Sequence, residues 1–314
     1  FKLKAHGLEA QVEAINARGV EIAREATALL RGQTGRQAFV AASIGPLGAR
    51  LAPLGALSAA DAYAAFREQI VALAKAAPDA LIIETISDLN EMRQAVLAAR
   101  EVCDLPIIAQ MTYAEDGRTL LGQSPHEALT LLKQLGVEVV GANCSVGPAR
   151  LMPVVETLTK EANGVIVSAQ PNAGWPEQVG NRLIYASSPD YFAQFARRAV
   201  AAGATIVGGC CGTTPEHIAA MRRALDDLAR TKDEGRATEG VVIAVREVAP
   251  TAAVAPVAAG LTELQLKFAS RKFVVSVELD PPKSADTTNI LRAARMLKEG
   301  GVDVLNIADT PMAR

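Results

Sequence analysis

The feature that most constrains the fold is an alternation, between residues 37 and 231, of short β-branched runs and segments with helical hydrophobic periodicity. This alternation is typical of repeated βα units, in which parallel strands form a sheet and the helices pack outside it. The predicted strands are 38–44, 80–85, 106–111, 138–142, 164–169 and 204–207. The fold class is therefore α/β, and we expect these strands to belong to a (βα)8 barrel, the TIM barrel.

The predicted barrel is incomplete, because a closed barrel of this kind has eight strands and six precede residue 231. Residues 8–31 are predicted to be helical with no strand before them. We therefore expect the six to be strands 3–8 of a barrel whose first two βα units would precede Phe1. Such a sheet would have open edges at 38–44 and 204–207.

The pattern changes after residue 230. Residues 231–262 contain a charged cluster and then an Ala/Pro tract, which is typical of a linker. Beyond it, a strand, a helix and a second strand predict the first βαβ unit of another α/β domain. The predicted domains are therefore 1–230 and 263–314, joined by the linker.

Composition excludes several classes of protein. The chain has 314 residues, of which 50% are hydrophobic, and a formal net charge of -2 with no basic block. Nucleic-acid and membrane partners are therefore not expected. The first residues lack a signal-peptide pattern, and no apolar stretch approaches the roughly 18 residues that span a bilayer. We expect a cytoplasmic protein with reduced thiols.

Three of the four cysteines follow predicted strands: Cys144 after one strand, and the pair Cys210 and Cys211 after another. Neighbours on a regular strand point to opposite faces, so the pair can reach one ion only if the backbone turns sharply, as nearby glycines permit. A vicinal disulfide and ordinary buried thiols are the alternatives. Cys103 has no partner pattern and is expected to be a core thiol.

Parallel strands of a barrel end at one rim, so the three thiols and Glu84 are expected to lie together. Zinc suits thiolates, with Zn–S distances of about 2.3 Å, and three protein ligands leave a fourth position open. Three thiolates overcompensate the charge of the ion, so a fourth, bound sulfur stays electron-rich. The pattern therefore favours alkylation of a substrate thiol over hydrolysis.

These residues carry a family resemblance. The motifs are Gly141-Ala142-Asn143-Cys144-Ser145, Gly208-Gly209-Cys210-Cys211-Gly212 with Thr213-Thr214-Pro215-Glu216-His217, Ser43-Ile44-Gly45-Pro46-Leu47-Gly48, and Glu84-Thr85-Ile86-Ser87-Asp88. They resemble the homocysteine S-methyltransferase family over residues 1 to about 230. The resemblance implies that the three cysteines bind Zn2+, that zinc-bound homocysteine is methylated to methionine, and that Glu84 holds the substrate amino group. A rim salt bridge is the alternative for Glu84. His217 is expected to serve a helix terminus instead of the metal.

A second resemblance lies in residues 273–283, Phe-Val-Val-Ser-Val-Glu-Leu-Asp-Pro-Pro-Lys, which are similar to the first strand of methylenetetrahydrofolate reductase. That family is an FAD-containing TIM barrel, so the resemblance implies the start of a second barrel. Glu278 would be its catalytic acid, and Asn306 and Asp309 would face the flavin. Together the two resemblances imply a bifunctional methyltransferase and reductase.

Two other functions stay open at this point. One is the homocysteine module of a cobalamin-dependent methionine synthase, against which the residues that follow Glu278 argue. The other is a non-catalytic zinc-binding fragment. The expected partners are small molecules, namely homocysteine and a methyl donor such as methyltetrahydrofolate or a sulfonium, and the sequence leaves a homo-oligomer open.

Overall fold

The chain is described from a computed structural model, which covers residues 1–174, 176–179, 182–185, 187–235, 263–270, 272, 274–279 and 288–307. Two short 3-10 helices, Lys2–His6 and Glu9–Gln11, come first. The α-helices are α1 (Val12–Thr34), α2 (Ala59–Lys75), α3 (Leu89–Val102), α4 (Pro125–Gln134), α5 (Pro148–Glu161), α6 (Pro189–Ala201), α7 (Pro215–Gly235), α8 (Glu263–Ala269) and α9 (Thr288–Glu299). The strands are β1 (Phe39–Ile44), β2 (Ala80–Ile86), β3 (Ile107–Met111), β4 (Val139–Asn143), β5 (Ile166–Gln170), β6 (Pro176–Val179), β7 (Arg182–Tyr185), β8 (Ile206–Gly209), β9 (Val274–Leu279) and β10 (Val304–Ile307).

Eight of these strands close into a parallel barrel, in the order β1-β10-β9-β8-β5-β4-β3-β2. Strands β6 and β7 form a separate antiparallel hairpin between β5 and α6. The predicted α/β barrel class is therefore confirmed, and the six strands predicted before residue 231 are all present in it.

The prediction of a six-stranded sheet with two open edges is wrong. Strand β10 pairs with β1, with Val304 opposite Phe39, and β9 pairs with β8, with Val274 opposite Ile206. Unpaired strand edges leave backbone donors and acceptors unsatisfied, and two further strands supply the missing partners. Strands β9 and β10 thus complete the closed barrel in this structure. The domain boundaries at 230 and 262 stay a prediction, and most of the linker lies outside the described residues.

Helix starts are fixed by local side chains. Ser124 and Glu127 form a full capping box at α4, and Ser58 accepts a hydrogen bond from the backbone N–H of Asp61 at α2. Asp88 caps α3 by accepting a hydrogen bond from the backbone N–H of Asn90, and Glu91 takes no part in this cap. The buried Glu91 carboxylate instead accepts from the N–H of Leu47, 2.6 Å away, and so ties the β1–α2 loop to α3.

The barrel interior has an apolar lower zone and a polar upper zone. The lower zone is a cluster of buried apolar side chains that includes Phe39, Ile82, Ile108, Val139, Ile206, Val274 and Val304, with Leu264 and Phe268 of α8 packed against it. Nearer the carboxyl ends of the strands, the buried side chains are polar: Ser43, Glu84, Gln110, Asn143, Ser168, Gln170, Ser276 and Asn306. A polar lumen at this end is where barrel enzymes carry their sites. Within the described part of the chain, no helix has both the length and the apolar character needed to cross a bilayer.

Candidate metal and substrate site

Cys144 lies directly after β4, in a backbone conformation that is uncommon for side-chain-bearing residues. Both Cys144 and Ser145 have left-handed backbones, with φ of 60° and 61°. Each such residue costs roughly 1–3 kcal/mol and persists when its surroundings hold it. Here the N–H of Cys144 donates to the carbonyl oxygen of Gln170 at 3.1 Å, and the N–H of Val146 donates to the Cys144 carbonyl at 2.7 Å. The chain turns at once after the strand, and this turn directs the Cys144 thiol toward the cluster described below.

Cys210 and Cys211 follow β8 and turn as predicted, although the adjacent glycines contribute in different ways. Gly212 has φ of +78°, and a Cβ atom there would lie 2.2 Å from the Tyr185 ring. Gly208 instead provides space, because a Cβ atom would lie 1.9 Å from the carbonyl oxygen of Ser276. The carbonyl of Cys210 accepts from the hydroxyl of Thr213 at 2.7 Å, which closes the turn.

The three thiols meet, and none of them is in a disulfide. The Sγ atoms of Cys144, Cys210 and Cys211 all lie within 4.8 Å of one another, and those of Cys144 and Cys211 are 3.8 Å apart. Four sulfurs placed tetrahedrally at about 2.3 Å from zinc would be about 3.8 Å apart. The spacing therefore fits a metal. No fourth His, Cys, Asp or Glu joins this group among the residues that the structure describes.

The electrostatics of the cluster are those of weakly acidic groups placed close together. The hydrogen bond that the Cys211 thiol shares with Cys144 raises the pKa of Cys211 to about 11. Burial, together with the three thiols, raises the pKa of Tyr185 to about 12. Each added negative charge is disfavoured by those already present, so the cluster is a site that a cation would stabilise.

Glu84 lies on β2 and is only 3% exposed. Its Oε1 accepts from the Ser43 hydroxyl at 2.6 Å and from Asn306 Nδ2 at 3.1 Å. Its Oε2 accepts from Asn143 Nδ2 at 3.2 Å. The bonds from Asn306 and Asn143 pass over β1 and β3, whereas Ser43 lies on β1, the strand next to Glu84. Glu84 was predicted to lie near the cysteines. Asn143 connects the two, because its Nδ2 also lies 3.7 Å from Cys210 Sγ.

Asn143 and Ser43 were not assigned a role from the sequence. Both stand in the motifs that carry the family resemblance, and both are buried polar residues on otherwise apolar strands, which is the signal that could have identified them. Two buried carboxamides also belong to this polar zone. The side-chain oxygens of Gln110 and Gln170 have no hydrogen-bond donor in the described part of the chain.

His217 has the predicted position at a helix start. Its Nδ1 accepts from the N–H of Thr214 at 3.1 Å, and its Nε2 donates to the carbonyl of Ser187 at 2.8 Å. Both ring nitrogens are engaged, so His217 is not a ligand of the cluster. Cys103 lies half-buried at the end of α3, where burial raises its pKa and its thiol donates to the Ala99 carbonyl at 3.7 Å.

The residues predicted for a reductase have separate outcomes. Glu278 lies on β9, and its side chain and the whole of Asp309 fall outside the described residues. Asn306 lies on β10 with its side chain buried against Glu84 and Ser276. The flavin roles of all three stay predictions.

Comparison with known proteins places the chain. A family model described as homocysteine S-methyltransferase matches residues 1–225. The methionine synthase of Mycobacterium tuberculosis is 33% identical over 226 residues, which make up 70% of this chain and 19% of that protein. The methionine synthase of Mycobacterium leprae is 33% identical over 214 residues, or 66% of this chain and 18% of that protein. The chain spans about a fifth of the length of these relatives.

Solved structures share the fold. The homocysteine methyltransferase MmuM from Escherichia coli in its apo form has a TM-score of 0.57 and 24% identity, covering 69% of this chain and 74% of that one. Its metallated form has a TM-score of 0.58 and 24% identity, covering 69% and 73%. Because the family model covers residues 1–225 and the sequence relatives are 33% identical, the chain belongs to the homocysteine S-methyltransferase family.

Proposed function

We propose that this chain transfers a methyl group to the thiol sulfur of homocysteine, giving methionine, and that Cys144, Cys210 and Cys211 hold a zinc ion for this purpose. The observation that carries the proposal is the convergence of the three Sγ atoms within 4.8 Å, with no fourth protein ligand among the described residues. The metallated form of the MmuM relative supports a metal in this fold. Family membership supplies the substrate class.

The donor set fits zinc, and its ligand count fits a site that also binds substrate. When bound, zinc lowers the pKa of a coordinated thiol and so makes a thiolate available at neutral pH. Cys210 is 8% exposed, whereas Cys144 and Cys211 are half-buried, so the cluster is open on one side. A small amino thiol could therefore approach the sulfurs from the rim.

Glu84 is proposed to bind the ammonium group of the substrate. Its carboxylate is buried and accepts hydrogen bonds from three uncharged side chains. Buried charges are stabilised by an opposite charge. The side-chain oxygens of Gln110 and Gln170, which have no donor among the described residues, are further acceptors in the same polar zone, and acceptors suit an ammonium group.

The transfer forms one bond and breaks another. The substrate sulfur bonds to the methyl carbon, the bond between that carbon and the donor breaks, and its electron pair leaves with the donor. A sulfonium donor leaves as a neutral thioether and needs no acid. Methyltetrahydrofolate leaves as an amine whose nitrogen must be protonated. The proposed function includes both donors, and assays with each one separate them.

A second version of this function is that the chain is the homocysteine-binding module of a larger methionine synthase. The observation in its favour is the 33% identity to two methionine synthases. The matched region makes up only 19% of one of these proteins and 18% of the other. A module of that kind would bind homocysteine through the same residues and receive the methyl group from another part of the protein. The fused reductase stays a prediction, because the family model ends at residue 225 and the resemblance of 273–283 is its only support.

The test measures sulfur coordination in the purified full chain. We expect about one zinc per chain, with three sulfur ligands by X-ray absorption, and a fourth sulfur after homocysteine is added. Methionine formation is then measured with a sulfonium donor, S-methylmethionine, and separately with methyltetrahydrofolate. A serine variant of Cys211 is the control and should lose metal.

Two results would contradict the proposal. Zinc with four protein ligands and no change on adding homocysteine would indicate a structural metal. A chain that binds no metal at all would contradict the proposed role of the three cysteines. A fourth sulfur without turnover of either donor would favour the module of a larger synthase.

A further inference from the structure

The side chain of Asn143 contacts both halves of the site, the Glu84 carboxylate and the sulfur cluster. It is the last residue of β4, immediately before Cys144, and is fully buried. Its Nδ2 donates to Glu84 Oε2 at 3.2 Å and lies 3.7 Å from Cys210 Sγ. A single amide nitrogen therefore touches both the carboxylate and the sulfur cluster.

The same side chain holds the backbone that carries Glu84. Asn143 Oδ1 accepts from the N–H of Thr85 at 2.8 Å, and its Nδ2 donates to the Thr85 hydroxyl, also at 2.8 Å. Thr85 has φ of 61°, which is a true outlier for a β-branched residue. The pairing of β2 with β3 is irregular at this point, between Ile83 and Ile86. The strained backbone next to Glu84 is thus stabilised by two hydrogen bonds with Asn143, one accepted and one donated by its side chain.

The main chain of Asn143 is fixed as well. Its carbonyl oxygen accepts from the Thr112 hydroxyl at 2.6 Å, and its side chain has 0% exposure. Side chains that are buried and bonded on every side hold the groups they contact at fixed separations. Asn143 therefore contacts, from one fixed position, both the Glu84 carboxylate and the sulfur of Cys210.

We propose that Asn143 is a positioning residue that fixes the separation between the Glu84 carboxylate and the three sulfurs, and thereby selects amino thiols by chain length. The inference rests on the proposed function, in which the substrate is held by its ammonium group at one end and its sulfur at the other. Homocysteine is one methylene longer than cysteine, so only one of them spans a fixed separation without strain. A difference of one methylene is worth about 10- to 200-fold in discrimination.

The test compares two amino thiols in the full chain loaded with Co2+ in place of zinc. Homocysteine and cysteine are titrated separately, and the sulfur-to-cobalt charge-transfer band gives a dissociation constant for each. The wild-type chain should prefer homocysteine by about tenfold or more. In Asn143→Ala the preference should fall to within about threefold, because the two ends of the site are no longer joined.

Ser43→Ala is the matched control. The Ser43 hydroxyl donates to Glu84 Oε1 at 2.6 Å, whereas Asn143 donates to the other carboxylate oxygen, Oε2. This variant should weaken both thiols equally and leave their ratio unchanged. A second variant, Asn143→Asp, keeps the acceptor toward the Thr85 N–H, and the Thr85 hydroxyl can donate to its second oxygen, but the donor to Glu84 and the amide contact with Cys210 are lost. It should lose discrimination as Asn143→Ala does.

The outcomes separate the inference from the function on which it rests. If the wild-type chain gives no band change with homocysteine, the proposed function fails. If the wild type responds but both Asn143 variants keep its homocysteine preference, the positioning role is wrong. If both Asn143 variants unfold at a lower temperature than the Ser43→Ala chain, Asn143 is a structural residue only, and the inference is overturned.

Discussion

At the scale of single residues, Glu84 is a buried acidic side chain held by neutral groups. Its carboxylate is 3% exposed, and its two oxygens accept from Ser43, Asn143 and Asn306. Neutral donors stabilise a buried carboxylate only in part, and a charged ammonium group would stabilise it further. Binding of a substrate ammonium group is the role that we propose for Glu84.

We predict that Glu84→Gln weakens homocysteine binding and leaves the metal in place. A hydrogen bond to a charged group contributes about 1.5–3 kcal/mol, so the dissociation constant should rise by about 10- to 150-fold. Zinc content should stay unchanged because the three cysteines are intact. The measurement is calorimetric titration of the zinc-loaded chain.

A thiol that lacks the amino group serves as the internal control for this variant. It should bind the wild-type chain and Glu84→Gln equally, since it makes no contact with the carboxylate. An equal loss for both thiols would show that Glu84 shapes the site without binding the amine.

Among the elements, β4 shows how the polar zone of the barrel is assembled. The Gln110 side chain on β3 donates to the Ser168 hydroxyl on β5 at 2.9 Å, so this bond passes over the strand between them. It can do so because that strand carries Gly141 at the crossing point. A Cβ atom at Gly141 would lie 1.9 Å from Ser168 Oγ and 2.5 Å from the Ser168 carbonyl oxygen.

Gly141→Ala is therefore expected to destabilise the barrel. The added methyl group meets backbone as well as side-chain atoms, so the free energy of unfolding should fall by about 1–3 kcal/mol or more. Gly19 is the matched control, because it lies inside α1 with nothing within 4 Å of an added Cβ atom. Gly19→Ala should raise stability by about 0.5–1 kcal/mol. Urea unfolding of both variants measures the difference, and equal midpoints would contradict this account of β4.

For the molecule as a whole, the class of fold and the location of the site could be predicted, because both follow from local patterns. Strand and helix periodicity identifies each βα unit, and cysteines at strand ends must meet at one rim. The closure of the barrel could not be predicted. Pairing of β1 with β10 joins residues that are far apart in sequence, and hydrophobic patterns carry no information about such partners. Asn143 was missed for a similar reason, since its role depends on contacts across the lumen.

Closure by β9 and β10 makes a final prediction about the C-terminal segment. A chain ending after residue 235 lacks both strands, so β1 and β8 would each lose a parallel partner. Their backbone groups would be unpaired, and exposed edges of this kind associate with other chains. We expect the shortened chain to elute as larger species in size-exclusion chromatography and to unfold with a broad transition. Adding residues 263–314 as a separate chain should restore the elution position of the full protein.

The control for this experiment is the full chain cut at an engineered protease site within 236–262, which keeps every strand and should behave as the intact protein does. If the shortened chain elutes and unfolds like the full one, the first barrel does not need β9 and β10. The predicted domain boundary near residue 230 would then be supported instead. A barrel that is restored in trans would show that strand pairing, and not covalent connection, holds the segment in place.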